Sequence, residues 1–318
     1  MDANVLDTIG SPLVRVRSPE GSTIAAKLES KNPGGSAKDR PALYMIEAAE
    51  RAGALEPGDH IVEPTSGNTG IGIAMVGAAK GYDVTIVMPS SKSPERRRIM
   101  RAYGAEIELV DGTITDAKER ADELEAEAGM TQLRQFENEA NPESHYRTTA
   151  EEILAQVDGR EIDAFVAGVG TGGTLTGIGR RLREAFPEVE IVGVEPADSA
   201  VLSGEEPTGD SFQGMGPGFV SPNLDVDLLD GVETVTIGEA EAECRRLARE
   251  EGILVGQSSG AANLAAKRVA ERIARPELNC SDAADGLTAD GSGDDCPLVV
   301  TVFPDGGERY MSTGMFDR

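Results

Sequence analysis

The chain reads as an α/β protein with mostly parallel sheets. Short apolar runs of strand length alternate with longer helix-period segments, the pattern of βα units. Several of those segments stop at a glycine after a good helix former (Gly53, Gly81, Gly104, Gly129 and Gly252), as left-handed caps require. With 318 residues, the chain is long enough for two compact lobes.

In order, the clearest strands are His60–Glu63, Val84–Met88, Ile107–Val110, Ala164–Ala167, Ile191–Val194 and Pro297–Val302. Helices are expected over Arg40–Arg51, Thr69–Ala79, Pro94–Tyr103, Thr115–Ala128, Thr148–Val157, Thr174–Phe186, Gly238–Glu250 and Ala261–Ile273. The polar run Asn138-Glu139-Ala140-Asn141-Pro142 separates two βα-rich halves and marks a lobe boundary. A second break, from about 279 to 296, mixes Asp and Gly with small residues and no apolar period, as in a mobile acidic surface loop. No repeat of solenoid length is present.

The formal net charge of -26 makes nucleic acid and anionic membranes poor partners. The acid excess is dispersed, and only seven of the 30 basic residues are lysine. Such a surface suits a salt-rich cytoplasm and points to a halophile. No basic and apolar leader opens the chain, and no apolar run approaches the ~20 residues of a membrane span. A cytoplasmic location is therefore expected. Three cysteines (Cys244, Cys280 and Cys296) with no CxxC argue against a disulfide framework and a zinc site; a single Cys280–Cys296 pairing across the acidic stretch stays open, with nothing in the sequence to support it. Two distant histidines, His60 and His145, make no triad or metal cluster, and no metal is expected.

Three small-residue loops carry the chemistry. Lys38 follows Asn32-Pro33-Gly34-Gly35-Ser36-Ala37, where little bulk stands between its amine and a planar cofactor. Thr65-Ser66-Gly67-Asn68-Thr69-Gly70 lies between a strand and a helix, where free N–H groups form an anion site; a plain capped helix start is the alternative. Gly168, Gly170 and Gly173 satisfy G-x-G-x-x-G, with Glu195 placed 22 residues later where a dinucleotide fold keeps its ribose acid. A single phosphate needs only the cradle, with hydroxyl help from Thr171 and Thr174. No lysine follows these glycines ahead of Ser or Thr, which excludes a Walker-type loop. Near the C-terminus, Gly256-Gln257-Ser258-Ser259-Gly260 opens another helix, with Ser258 either a helix cap or a ligand.

Together these loops resemble the fold-type II pyridoxal phosphate enzymes, and within them the cysteine synthases (O-acetylserine sulfhydrylases). Leu133-Arg134-Gln135-Phe136-Glu137-Asn138, Gln213-Gly214-Met215-Gly216-Pro217-Gly218-Phe219 and the closing Pro304-Asp305-Gly306-Gly307-Glu308-Arg309-Tyr310 extend the resemblance over almost the whole chain. It implies a tryptophan synthase β-like fold of two α/β domains with helices on both faces of mostly parallel sheets. The domains are 1–145 and 146–318, with about 1–34 partly crossing to the second domain and 35–145 forming a smaller mobile lobe. Lys38 would hold pyridoxal 5′-phosphate as an internal aldimine and then move protons. Asn68 would meet the cofactor's 3′ oxygen, Gly170, Thr171, Gly172, Gly173 and Thr174 its phosphate, and Ser258 its ring nitrogen.

Thr65, Ser66, Gly67, Asn68, Thr69 and Gln135 would bind the substrate carboxylate, with Gly214 and Met215 flanking the ring and the leaving group. The implied reaction replaces the acetoxy group of O-acetyl-L-serine by sulfide through an aminoacrylate, in a homodimer. Cystathionine β-synthase, O-phosphoserine sulfhydrylase and serine/threonine dehydratase share the fold. From another class, an NAD-binding dehydrogenase explains Gly168 to Glu195 but leaves Lys38 and the 65–70 loop unexplained. The Asp/Gly-rich stretch before Pro297 departs from the family pattern.

Overall fold

The computed structural model describes all residues except Asp210, Asn279, 281–295 and Arg318. Two sheets organise the described chain. The larger has strand order β1 (Leu13–Val16), β2 (Thr23–Leu28), β10 (Leu298–Phe303), β7 (Ala164–Gly168), β8 (Glu190–Pro196) and β9 (Gly231–Val235). Its β1–β2 pair is antiparallel and every other pairing is parallel. The smaller sheet, fully parallel, runs β5 (Glu106–Val110), β4 (Asp83–Pro89), β3 (His60–Pro64) and β6 (Thr131–Gln132). The N-terminal hairpin therefore belongs to the larger sheet, and the chain crosses to the smaller one only at α1 (Asp39–Arg51).

Helices cover both faces of each sheet, because strands apolar on both sides must be buried on both. On the smaller sheet, α1 and α2 (Asn68–Lys80) enclose Met45, Ile46, Ile61, Ile71, Ile73 and Ile86. On its other face, α4 (Ile114–Ala128) sets Ala117 and Ala121 against Val62 and Val87. On the larger sheet, α8 (Ile237–Glu251) and α9 (Gln257–Ile273) bury Cys244, Leu247, Ala261 and Ala265 against Val299 and Phe303. The opposite face packs Ile153 of α6 (Ala150–Gln156) and Leu175 and Ile178 of α7 (Gly173–Ala185) against Phe165 and Val300. Each fully buried Ile or Phe contributes roughly 1.5–3 kcal/mol.

The connector at 138–142 is an ordered part of the structure. Residues Ala140–Ser144 form a short helix, α5, followed by a π turn over His145–Thr149 that leads into α6. The helix expected over Thr148–Val157 thus begins as a wider turn. Two residues after Lys38, the guanidinium of fully buried Arg40 joins Glu29 at 2.8 Å and Glu152 at 2.6 Å, and Lys27 joins Glu152 at 2.7 Å. This network clamps the start of α1 to the end of β2 and to α6. Removing one partner of such a buried pair costs about 3–5 kcal/mol.

The cysteines decide a pairing that the sequence left open. Cys280 and Cys296 form a disulfide with Cα atoms 6.0 Å apart, whereas Cys244 is free and buried. No CxxC spacing signals the pair; the chain between them is long enough to return its own ends. The acidic loop expected over about 279–296 otherwise lies outside the described residues. No described helix is long and apolar enough to cross a membrane. Among the described residues, no group of three or more His, Cys, Asp or Glu could hold a metal ion.

Candidate active site

The candidate residues sit on loops at the carboxyl ends of parallel strands, where open α/β sheets bind ligands. Residues 65–67 follow β3 and lead into α2, residues 169–172 follow β7 and lead into α7, and 304–306 follow β10.

Lys38 occupies the position before α1 and is partly buried. Its segment pairs with the chain after β10: Ser36 bridges Asp305, and the Ala37 N–H donates to the Pro304 carbonyl at 2.8 Å. Gly35 has φ +80°, a left-handed value suited to glycine, and any Cβ there would strike the Arg309 guanidinium. From the other side α2 packs on the Lys38 backbone, where a Cβ at Gly72 would lie 2.7 Å from the Lys38 carbonyl oxygen. Burial pulls the Lys38 amine below its ordinary value, while the charges of Asp305 and Glu29 oppose the shift. That shift favours the neutral, nucleophilic amine.

The 65–70 loop is held by contacts remote in sequence. Asn68 opens α2; its Nδ2 donates to Asp305 Oδ2 at 2.7 Å and its Oδ1 accepts from Arg309 at 2.5 Å. Thr65 is buried and its Oγ1 accepts the Gly67 N–H at 3.2 Å, while Ser66 and Gly67 are half-buried. The Thr69 hydroxyl donates to Gln135 Oε1 at 2.6 Å, so these two predicted carboxylate ligands meet. The Gln135 carbonyl accepts from Asn141 Nδ2 at 2.8 Å, and the same Nδ2 donates to Thr171 Oγ1 at 3.0 Å. The 65–70 and 170–174 loops are thus joined through one side chain.

The 170–174 loop takes a conformation that only glycine accommodates at several positions. Gly172 has φ +83°, and a Cβ there would fall 2.7 Å from the Leu224 Cα. A Cβ at Gly170 would fall 2.7 Å from the Gly214 carbonyl oxygen, and one at Gly173 would strike the Asn141 side chain. α7 begins at Gly173, whose N–H donates to Thr171 Oγ1 at 3.4 Å, so the loop ends at the N–H groups of a helix start, with the Thr174 hydroxyl on its first turn. Thr171 is buried; Gly170 and Thr174 are half-buried.

Residues 214–216 lie alongside this loop, with the Gly216 N–H on the Val169 carbonyl at 2.9 Å and Met215 buried. The Gln213 N–H donates to Gln257 Oε1 at 3.2 Å, which brings this stretch to the start of α9 beside Ser258. Ser258 is buried as the second residue of α9; Gly256, not Ser258, caps that helix. The residues present fit a pyridoxal phosphate: a phosphate-sized N–H cradle kept open by glycine, a desolvated lysine, and a buried hydroxyl for the ring.

Two features exclude the dinucleotide alternative. Glu195 is buried, and its carboxylate accepts the Leu202 N–H at 2.8 Å, the Ser203 N–H at 2.9 Å and the Ser203 hydroxyl at 2.6 Å. It is 2% exposed and serves the turn after β8, which turns it away from a ribose. Lys38 and the 65–70 loop, which that alternative leaves idle, sit in the same set of contacts as the cradle.

Sequence reasoning missed four side chains. His145 is fully buried; its Nδ1 lies 2.8 Å from Thr149 Oγ1 and its Nε2 3.2 Å from Thr174 Oγ1. Burial, then the charges of Lys38 and Arg40, hold it well below its usual range, so it is a neutral support for Thr174. Asp305 and Arg309 hold Asn68; they stand in the closing motif but carried no assigned role. Glu63 is buried at the end of β3, and burial pushes its carboxyl up to about 7 against the pull of three backbone N–H groups.

These contacts define a two-sheet α/β enzyme whose lysine segment, 65–70 loop and 170–174 loop are linked in one network at the strand ends. The chain belongs to the pyridoxal-phosphate dependent enzyme family, whose sequence model matches residues 6–279. It is 47% identical over 312 residues to a cysteine synthase of Staphylococcus aureus, covering 96% of this chain and 94% of that protein. It is 44% identical over 319 residues to an O-ureido-L-serine synthase of Streptomyces lavendulae, covering 99% and 92%. Among solved structures, a cysteine synthase of Entamoeba histolytica superposes with a TM-score of 0.89 at 36% identity, covering 100% of this chain and 91% of that one.

Proposed function

We propose that this protein is a cysteine synthase, replacing the acetoxy group of O-acetyl-L-serine by sulfide with pyridoxal phosphate bound at Lys38. The observation that carries the reading is the Thr69–Gln135 hydrogen bond, tied through Asn141 to Thr171 of the phosphate cradle. A polar pair of that size, held at a fixed offset from the 170–174 loop, supports the reading, because an amino acid joined to this cofactor needs both.

When bound, pyridoxal phosphate supplies the electron sink that makes the substrate's α-proton acidic and its β-substituent a leaving group. The chain's own residues do the rest. The N–H groups of Gly170, Thr171, Gly172 and Thr174 would hold the phosphate, beside the Gly173 N–H that donates to Thr171 Oγ1 at 3.4 Å, and Thr174 is oriented by His145. Asn68, held by Asp305 and Arg309, fixes the ring edge. Ser258 presents a neutral hydroxyl to the ring nitrogen, which avoids the full positive charge that a carboxylate partner would enforce. Thr65 to Thr69 and Gln135 grip the carboxylate. The Lys38 amine, depressed by burial, takes the α-proton and returns one at the end of the cycle. Gly214 and Met215 border the space for the leaving group, and no arginine stands between Gly214 and Phe219 to favour a phosphate there.

The protein as purified is expected to be yellow, to lose its colour and turnover in Lys38→Ala, and to form cysteine from O-acetylserine and sulfide. A second reading is favoured by the 44% identity to the O-ureido-L-serine synthase. Offering hydroxyurea, the nucleophile that an O-ureido product requires, alongside sulfide separates the two. Sulfide must win in kcat/KM for the first reading to stand. The reading extends to a homodimer working in the cytoplasm of a salt-adapted cell.

A further inference from the structure

Glu63 has no place in the chemistry above, yet it is 1% exposed and its three hydrogen bonds all go to one short stretch of chain. Its Oε2 accepts the N–H groups of Leu133 at 3.1 Å and Arg134 at 3.0 Å, and its Oε1 that of Gln135 at 3.1 Å. Three successive N–H groups converge on one carboxylate only if the chain curls, and Arg134 takes a left-handed φ of +56° to allow it. The Arg134 guanidinium turns away to Glu125 at 2.5 Å and Asp122 at 3.6 Å. The carboxylate is therefore held by backbone N–H groups and not by a direct ion pair.

The residue fixed by this arrangement is Gln135. Its N–H is held by Glu63, its carbonyl by Asn141 at 2.8 Å and Asn223 at 2.9 Å, and its Oε1 by the Thr69 hydroxyl. Its Nε2 alone donates to no described protein acceptor and is left for a ligand.

We propose that Glu63 is a positioning residue for the substrate's α-carboxylate: by gathering the N–H groups of 133–135 it sets Gln135 against Thr69 and so fixes carboxylate affinity. The inference rests on the reading of Thr69 and Gln135 as the carboxylate pair. Glu63 touches neither substrate nor cofactor.

The test uses the cofactor-loaded enzyme with Glu63→Gln, which keeps the shape but turns an NH2 towards one of the three N–H groups. Binding is read from the change in cofactor absorbance with O-acetylserine and with its carboxamide, which lacks the carboxylate. Loss of one charge-assisted hydrogen bond predicts KM for O-acetylserine raised about tenfold with kcat within about threefold. The carboxamide should bind the variant and the parent equally. Equal weakening of both ligands, or an unchanged KM, overturns the proposal.

Gln135→Ala is the control: if it leaves O-acetylserine affinity unchanged, the carboxylate reading itself fails. If it weakens affinity while Glu63→Gln does not, only the present inference fails. Should Glu63→Gln fail to fold, Arg134→Gly loosens the same turn without strain. It should raise KM for O-acetylserine and not weaken the carboxamide; any other pattern rejects the proposal.

Discussion

Gly72→Ala puts one methyl group between α2 and the Lys38 backbone. In an exposed helix interior this change would stabilise by about 1 kcal/mol through helix propensity. At this buried position the new Cβ lies 2.7 Å from the Lys38 carbonyl oxygen and 3.1 Å from Ala42 Cβ, where ordinary contact begins near 3.4 Å. The Lys38 carbonyl is backbone and already accepts the Ala42 N–H at 3.1 Å, so it cannot swing aside as a side chain would. Overpacking of this kind costs roughly 1–3 kcal/mol, which outweighs or cancels the propensity gain. Net destabilisation of up to about 2 kcal/mol lowers Tm by up to roughly 8 °C. The larger effect falls on turnover. The helices must part by several tenths of an ångström at the residue that carries the amine, and a misplacement near 1 Å costs about 100-fold. The expected result is kcat reduced by about 10- to 100-fold, measured with cofactor at saturation.

Gly77→Ala in the same helix is the comparison, because its Cβ would press 2.5 Å from the Val84 side chain, away from Lys38. It should lose stability and keep its kcat. A Gly72→Ala enzyme with unchanged kcat and Tm, or equal kcat losses in both variants, refutes the reasoning.

Two further outcomes concern solution conditions. Glu63 and Asp39 are both pushed up to about 7 by burial. The native state therefore binds their protons more tightly than the unfolded chain, and stability from these groups falls as pH rises from about 4.5 to 7. Urea titrations of the parent should show that decline, and Glu63→Gln should lose about 3 kcal/mol of it; an unchanged slope refutes the assignment. With a net charge of -26, raising potassium chloride from 0.01 M to 1 M shortens the Debye length from ~30 Å to ~3 Å and should raise Tm. A flat Tm would reject salt adaptation.

What the sequence made legible follows from how local each signal is. β5 is only partly buried and still shows as an apolar run, whereas the two-residue β6 leaves no pattern to read. β3, β4, β7, β8 and β10 show as apolar runs because they are buried on both faces. β2 does not: Ala25, Ala26 and Lys27 read as helix formers, and the strand exists because β1 and β10 flank it and because Glu152 receives the buried Lys27 amine. β9 is only partly buried, which dilutes its pattern. The loops at 65–70 and 168–174 were legible because glycine spacing and a strand before a helix are properties of the chain itself. The side chains that hold them were not. Glu63 looks like a polar residue ending a strand until the chain returns 70 residues later to place three N–H groups on it. His145 meets Thr174 only because α7 returns 29 residues later to pack on it. The left-handed Arg134 has no sequence signature at all, since any non-glycine residue would be unexpected there.

The place of β10 in the larger sheet has a consequence for how the chain is made. β10, from Leu298 to Phe303, lies between β2 and β7, pairing with the first part of the chain on one side and the middle on the other. Until it leaves the ribosome the N-terminal hairpin has no neighbour, and β7 presents an open edge. The smaller sheet, contained within residues 60–132, has no such dependence and can close early during synthesis. Lys38 lies between a hairpin that must wait and a sheet that need not. The amine acquires its surroundings only when Pro304 and Asp305 arrive, so cofactor capture marks the last stage of folding, and a nascent chain stopped before β10 carries the lysine without the site.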